Sequence, residues 1–371
     1  MRTLVIIATV LLCLLGCSST SDDSPKASAT TARVIAARDA SQMKEGRDYD
    51  VVATLPAKLK GVETYYDGVS PDGMVYGATF VEDPEAPEVF PGGQAITSRS
   101  SVILLDPGSG KVTRISDGNS RARRTAVGGI DVNEDWVTWY EAEDRGGASW
   151  KLYSYDRSTG IERKLGSDKD AIEGDTGLWA GTVISGDRVM MSTMTYADET
   201  GRADQVLSAP LDGSAPLSEL VGGATSADVG SDGISYTITR TETLMLRDAE
   251  SGETKVIDDG ASTFRTYHSG VLVTCHPYGS GTKVRVKSRN GTTTTFGPFD
   301  GDAGYNYQEE GWAKFVTDPD GDAKIYAIDT DRMKLFKVAD TQGGWQLMGN
   351  DMALVSPFDG AKGDITLIKL R

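Results

Sequence analysis

Three aspartates, Asp67, Asp131 and Asp228, lie on or beside apolar stretches of one recurring kind. Two carboxylates flanking a glycosidic bond are all that glycoside cleavage needs, but the spacing of these three selects no pair. The same kind of stretch carries Tyr65, Tyr66, Trp179, Arg265, Tyr267, His268, Tyr305, Tyr307 and Trp345. Rings with polar tips suit sugars, peptides or a partner's loop. Side chains alternate across a strand, so about half of these must pack between elements instead. Arg121, Arg123 and Arg124 form a basic cluster in an acidic chain. Their forked donors fit carboxylate or phosphate, and pairing with a nearby acid such as Asp117 is the plainer use. Together these residues make the candidate binding face.

Asp318, Asp320 and Asp322, followed by Asp329, echo a calcium-binding loop. Ala323 stands where such a loop needs glycine, and Asp329 where it needs a bidentate glutamate. A turn with exposed carboxylates fits better. There is no Gly-x-Ser-x-Gly elbow, no phosphate-binding Walker loop and no zinc-binding histidine pair. Two histidines leave little for a Ser-His-Asp triad, so no catalytic residue and no cofactor is assigned. A formal net charge of −16 argues against nucleic acid and against docking on anionic lipid, both of which need a basic surface. The acidity reads as solubility.

The amino terminus is an export signal. Met1-Arg2 precedes an almost wholly apolar run from Leu4 to Leu15, too short to span a bilayer as an ordinary helix. Leu14-Leu15-Gly16-Cys17 closes it and resembles the lipobox of bacterial lipoproteins, whose cysteine becomes the lipidated new terminus. The resemblance implies residues 1–16 as signal peptide and Cys17 as the lipid-bearing residue, with its acyl chains buried in the membrane. Residues 17–47, rich in Ser, Thr, Ala and Asp, read as a flexible tether, within which Val34 to Lys44 could form a short helix. Cys275 then stands alone in the mature chain and reads as a buried strand cysteine.

The elements that must position these residues are strands. Seven tight Gly/Asp/Asn turns, each between apolar stretches, read as β-hairpins: Ser70 to Gly73, Asn133 to Asp135, Ser185 to Asp187, Ser231 to Gly233, His268 to Gly270, Glu309 to Gly311 and Gly349 to Asp351. They recur at roughly 40–50 residues, the period of a propeller blade. A second hairpin follows each, as in Val102 to Lys111, Leu152 to Gly160 and Leu244 to Gly252. The seventh unit, however, ends on the single strand Asp364 to Arg371, while Tyr49 to Leu55 precedes the first unit without a partner. Pairing these two removes an exposed edge. The expected fold over residues 48–371 is therefore all-β: a seven-bladed β-propeller of four-stranded antiparallel blades, the last closed by the N-terminal strand. Six or eight blades are the alternatives.

Ser70-Pro71-Asp72-Gly73 resembles the blade turn of TolB-type propellers. Tyr155-Asp156 through Thr159-Gly160 resembles the Asp-x-x-Thr-Gly turn shared by TolB-type and quinoprotein-like blades, including those of BamB. The resemblance implies an exported bacterial propeller and specifies no ligand. The long, proline-bearing connection from Glu82 to Ser100 lies on the face of the between-blade loops, where binding would sit. The expected function is that of a membrane-anchored extracytoplasmic scaffold engaging a protein or envelope glycan. A carbohydrate-active enzyme with channel-facing carboxylates is the alternative.

Overall fold

The computed structural model describes residues 33–82, 98–116, 126–142, 149–170, 176–195, 204–260, 264–279, 281–301, 303–317, 324–339, 343–357 and 365–371. These form seven sheets, each containing one four-stranded antiparallel blade. Strands are lettered A to D from the channel outward. The A strands are Val62–Val69, Ala126–Val132, Thr176–Ser185, Ala224–Gly230, Phe264–His268, Ala303–Glu309 and Gly343–Gly349. Successive A strands touch one another in cyclic order, the seventh against the first, so the ring is closed.

Closure is made by the pairing expected from the sequence. Tyr49–Leu55 is the D strand of blade seven and runs antiparallel to Ile365–Leu370, with Tyr49 opposite Leu370 and Leu55 opposite Ile365. The carboxy-terminal residue reinforces it: the Arg371 guanidinium reaches both Asp50 oxygens at 2.6 Å, and the Arg371 amide donates to the Asp48 carbonyl at 3.0 Å.

Period-2 alternation gives each blade two apolar faces, and each face is buried against the next blade. Seven hydrophobic clusters result, one per seam. Trp139 and Tyr153 stack at 5.5 Å between blades one and two. Cys275, Phe296, Phe299 and Phe315 fill the seam between blades five and six, and Leu55, Tyr66, Met348 and Leu367 fill that between blades seven and one. Burying one such side chain is worth about 1.5–3 kcal/mol. Cys275 is fully buried, as expected.

Several turns between C and D strands are closed by an aspartate whose carboxylate accepts backbone N–H groups two and three residues on. Asp106, Asp156, Asp248 and Asp329 all do this, at 2.8–3.3 Å. Bonds from Ser158 and Thr159 hold the exposed Asp156 carboxyl down at about 2.

The tether reading needs correction over its described part. Arg33–Ile35 pairs in parallel with Thr294 to Phe296 on the outer strand of blade five, and Ser41–Gln42 with Phe336 and Lys337 on that of blade six. Met43 is buried in the seam between blades six and seven. The compact unit thus begins at Ala32 and not near Asp48. Unpaired edges on the outer strands offer the backbone hydrogen bonds that a polar segment cannot supply to itself. Helix within 34–44 is limited to one 3-10 turn, Ala37–Asp39, for the same reason.

Candidate functional site

The channel wall near the A–B turns holds the three aspartates. Asp131 and Asp228 are bound in one pattern. Asp131 accepts the amide of Val132 at 2.8 Å through one oxygen and that of Ile184, on blade three, at 2.6 Å through the other. Asp228 accepts the amide of Val229 at 2.8 Å and reaches His268 Nδ1, on blade five, at 2.9 Å. Each carboxyl therefore fixes its own backbone and ties its blade to the next. Burial raises the Asp131 carboxyl, opposed by the amides of Ile184 and Val132 and by the Tyr76 hydroxyl, while the Asp228 charge adds to the rise. Comparable ties run elsewhere: Gln308 bridges Thr266 at 2.9 Å and the Val271 carbonyl at 3.0 Å, and Asn350 donates to the Val69 carbonyl at 2.9 Å.

Asp67 departs from this pattern. It is the extra residue of a bulge, between the Tyr66–Gly77 and Gly68–Tyr76 pairs, whereas Asp131 and Asp228 sit in register opposite Thr138 and Ser235. Bulges re-aim side chains. The Asp67 carboxyl has no hydrogen-bond partner among the described residues, although its backbone carbonyl accepts Gln346 Nε2 at 3.4 Å. Burial alone lifts this carboxyl to about 7.

Two B-strand tyrosines are admitted by glycines, Tyr76 in the seam between blades one and two and Tyr140 in that between blades two and three. Tyr76, on the B strand Val75–Glu82, lies over Gly68, where any Cβ would overlap the phenol. Its hydroxyl donates to Asp131 of blade two. Tyr140, on the B strand Trp136–Ala142, lies over Gly128 and Gly129, whose Cβ atoms would fall 2.5 Å and 2.8 Å from it. Its phenol is raised by burial and then by the charge of Asp67, on blade one. Tyr76 crosses to blade two and ends in a hydrogen bond, whereas no hydrogen bond joins Tyr140 to Asp67 among the described residues.

Of the expected binding face, Tyr65 is 52% exposed on the first A strand. Tyr66 is a correction: it is buried in the seam between blades seven and one, and its hydroxyl donates to the Pro56 carbonyl at 2.9 Å. Tyr267 is likewise core, bonded to Asp232, because odd and even residues of an A strand face different sides. Arg265 is tied to Asp258 at 3.4 Å and to the Gly260 carbonyl at 2.8 Å, so it braces the connection from the outer strand of blade four into its own A strand. His268 is the partner of Asp228. Trp179, Tyr305, Tyr307 and Trp345 lie on A strands of blades three, six and seven. Cys17, Arg121, Arg123, Arg124, Asp318, Asp320 and Asp322 fall outside the described residues. Asp329, weighed with the calcium loop, closes a turn instead.

Sequence reading missed Tyr76, Tyr140, Gln308 and Gln346. A signal existed for the first two: Gly68 and Gly128-Gly129 interrupt otherwise strand-like runs, and glycine in a strand marks close approach.

No family model matches the sequence, and no curated protein is similar to it in sequence. The fold is similar to solved propellers. TolB from Acinetobacter baumannii matches at a TM-score of 0.41 and 13% identity, over 70% of this chain and 62% of that one. The β-propeller domain of the Trilobed protease from Pyrococcus furiosus matches at 0.53 and 9% identity, over 81% and 97%. An oligogalacturonate lyase in complex with manganese matches at 0.51 and 10% identity, over 87% and 98%. The chain thus spans less than two thirds of the TolB chain. At such identities the likeness is one of fold.

Proposed function

We propose that this chain is an extracytoplasmic lipoprotein, anchored through Cys17, whose propeller binds a protein or an envelope glycan. The observation that carries this reading is the use made of the channel's polar groups. Asp131, Asp228, His268 and Gln308 are engaged in ties between blades, which makes the ring a rigid scaffold. A binding face needs that rigidity more than it needs reactive groups, since preorganisation lowers the entropy lost on binding. The test is chemical crosslinking in intact cells expressing the tagged full-length chain or its Cys17→Ser variant. The wild type should fractionate with membranes and recover a specific envelope component, and the variant should leave the membrane fraction. Recovery of nothing specific by a well-expressed wild type, or membrane retention of the variant, would overturn the reading.

Glycan cleavage is the second reading, favoured by the Asp67 carboxyl, which at about 7 suits a general acid. Cleavage by paired carboxylates also needs a second acid free to act. The ties on Asp131 and Asp228 weigh against it. Turnover of an envelope oligosaccharide, lost in Asp67→Asn, would establish this reading over the first.

A further inference from the structure

We propose that the outer edge of blade four takes up an extended acidic segment of a partner protein, added beside its D strand and held by Lys283, Arg285 and Lys287 of blade five. This rests on the protein branch of the reading above and names the place and the chemistry of the contact.

The position is one that the chain fills for itself elsewhere. Blades five and six each carry a fifth strand outside D, Arg33–Ile35 and Ser41–Gln42, both parallel to it. Among the described residues blade four ends at its D strand, Thr254–Asp258. Each added strand also serves the seam to the next blade. Ile35 joins the cluster that includes Ile328 and Leu335 of blade six, and Met43, just after the second added strand, joins that which includes Ile368 and Leu370 of blade seven. Blade four is staggered against blade five in the same sense: Ile257 of its D strand packs in one cluster with Tyr267 and Leu272 of the blade-five A and B strands. One strand further out would therefore lie over the blade-five C strand, Gly281–Lys287.

That strand presents charge where its counterparts present apolar side chains. Val284 and Val286 point into the seam toward blade six, so Lys283, Arg285 and Lys287 point toward blade four. Successive members of the row stand about 6.6–6.8 Å apart along the strand. Arg285 and Lys287 are exposed, and among the described residues none of the three is ion-paired. Lys283 lies over the ring of Tyr278 at 3.2 Å, and Asp258, at the end of the blade-four edge, is already engaged by Arg265. In a chain of net charge −16, three neighbouring cations without acids call for an acidic partner.

The partner's form follows from the row. An extended peptide has the same two-residue period, so acids at alternate positions meet the three cations while its main chain pairs with the open edge. Lys255, opposite Leu246 on the edge strand, faces the same side. A lysine there keeps unselected strands away, and an acidic strand turns it into a contact.

The experiment is fluorescence anisotropy of labelled peptides titrated with the full-length chain in detergent. A seven-residue peptide alternating glutamate with valine should bind at micromolar concentration, and its lysine–valine counterpart should not. A glutamate–proline version keeps the charge but lacks the N–H groups for pairing, and should bind about tenfold more weakly or worse. Arg285→Glu combined with Lys287→Glu, at exposed positions, should weaken the glutamate–valine peptide about tenfold or more while melting like the wild type. Equal binding of the proline version would overturn strand addition, and unchanged affinity in the double variant would overturn the assigned cations. Trigalacturonate competing more tightly than the peptide would overturn the peptide and assign the row to an acidic glycan. No binding of the glutamate–valine peptide by the wild type would overturn the edge site altogether; envelope crosslinking reports separately whether the scaffold reading stands.

Discussion

The seam between blades one and two and the seam between blades two and three are made from the same parts and finish differently. Both have an A-strand aspartate close to the A–B turn. Asp131, in register, closes its seam with a 2.6 Å bond to Ile184, while Asp67, in a bulge, has no such bond. One extra residue therefore separates an acid that holds the ring together from an acid without a hydrogen-bond partner among the described residues. The difference teaches that residue type and strand position do not assign a role in a repeat fold; register does.

The largest effect should come from Gly129→Ala. A Cβ there would lie 2.8 Å from the backbone of Gly181 and Thr182 on blade three, at a positive φ. Overlap with backbone and left-handed strain together should cost about 3 kcal/mol or more, read as a drop in denaturation midpoint. Wild-type stability in this variant would mean that the seam between blades two and three is looser than described.

Next is the pair of alanine variants that breaks the comparison directly. Asp131→Ala leaves the Val132 and Ile184 amides without their acceptor and should cost about 2–4 kcal/mol. Asp67→Ala removes no side-chain hydrogen bond to a described residue and should stay within about 1 kcal/mol of the wild type at pH 4, below the range over which its carboxyl titrates in the folded chain. Equal losses would erase the distinction between the two acids.

The distinction sharpens with pH. Asp67 is raised on folding from 3.8 to about 7, so between those values the folded chain keeps a proton that the unfolded chain has released. Its contribution to stability therefore falls as pH rises from about 4 through 7, and is fully unfavourable above that. Asp67→Asn should match the wild type at pH 4 and exceed it at pH 8, by about 2 kcal/mol and by no more than about 4. Urea unfolding at the two pH values checks this, and a gap that does not change with pH would contradict it.

The smallest effect separates the two tyrosines. Tyr76→Phe loses the bond to Asp131 and should cost about 1 kcal/mol, whereas Tyr140→Phe loses no hydrogen bond to a described residue and should cost under about 0.5 kcal/mol. The reverse order would interchange the roles assigned to the two tyrosines.

Much of the scaffold was legible because it is written in local chemistry. Asn350, Asp351 and Gly311 adopt positive φ at turns where their residue types announced it. The partnerless Tyr49–Leu55 could be matched to its seam because a closed ring leaves no strand over. What stayed illegible depends on register. Nothing in Tyr66-Asp67-Gly68 shows which residue will be the bulge, so Tyr66 and Asp67 could not be sorted into core and channel beforehand. The 33–47 segment misled for a related reason. Its composition is that of a tether, and its order is supplied by outer strand edges hundreds of residues away.

The claim at the centre, that the Asp67 carboxyl is desolvated and unbonded among the described residues where Asp131 is engaged, is tested most directly by carboxyl-carbon NMR titration, with Asp67→Asn assigning the resonance. The Asp67 carboxyl should titrate with a midpoint at about 7, while the Asp67→Asn variant lacks that resonance. A midpoint near the ordinary aspartate value of 3.8 would contradict the account.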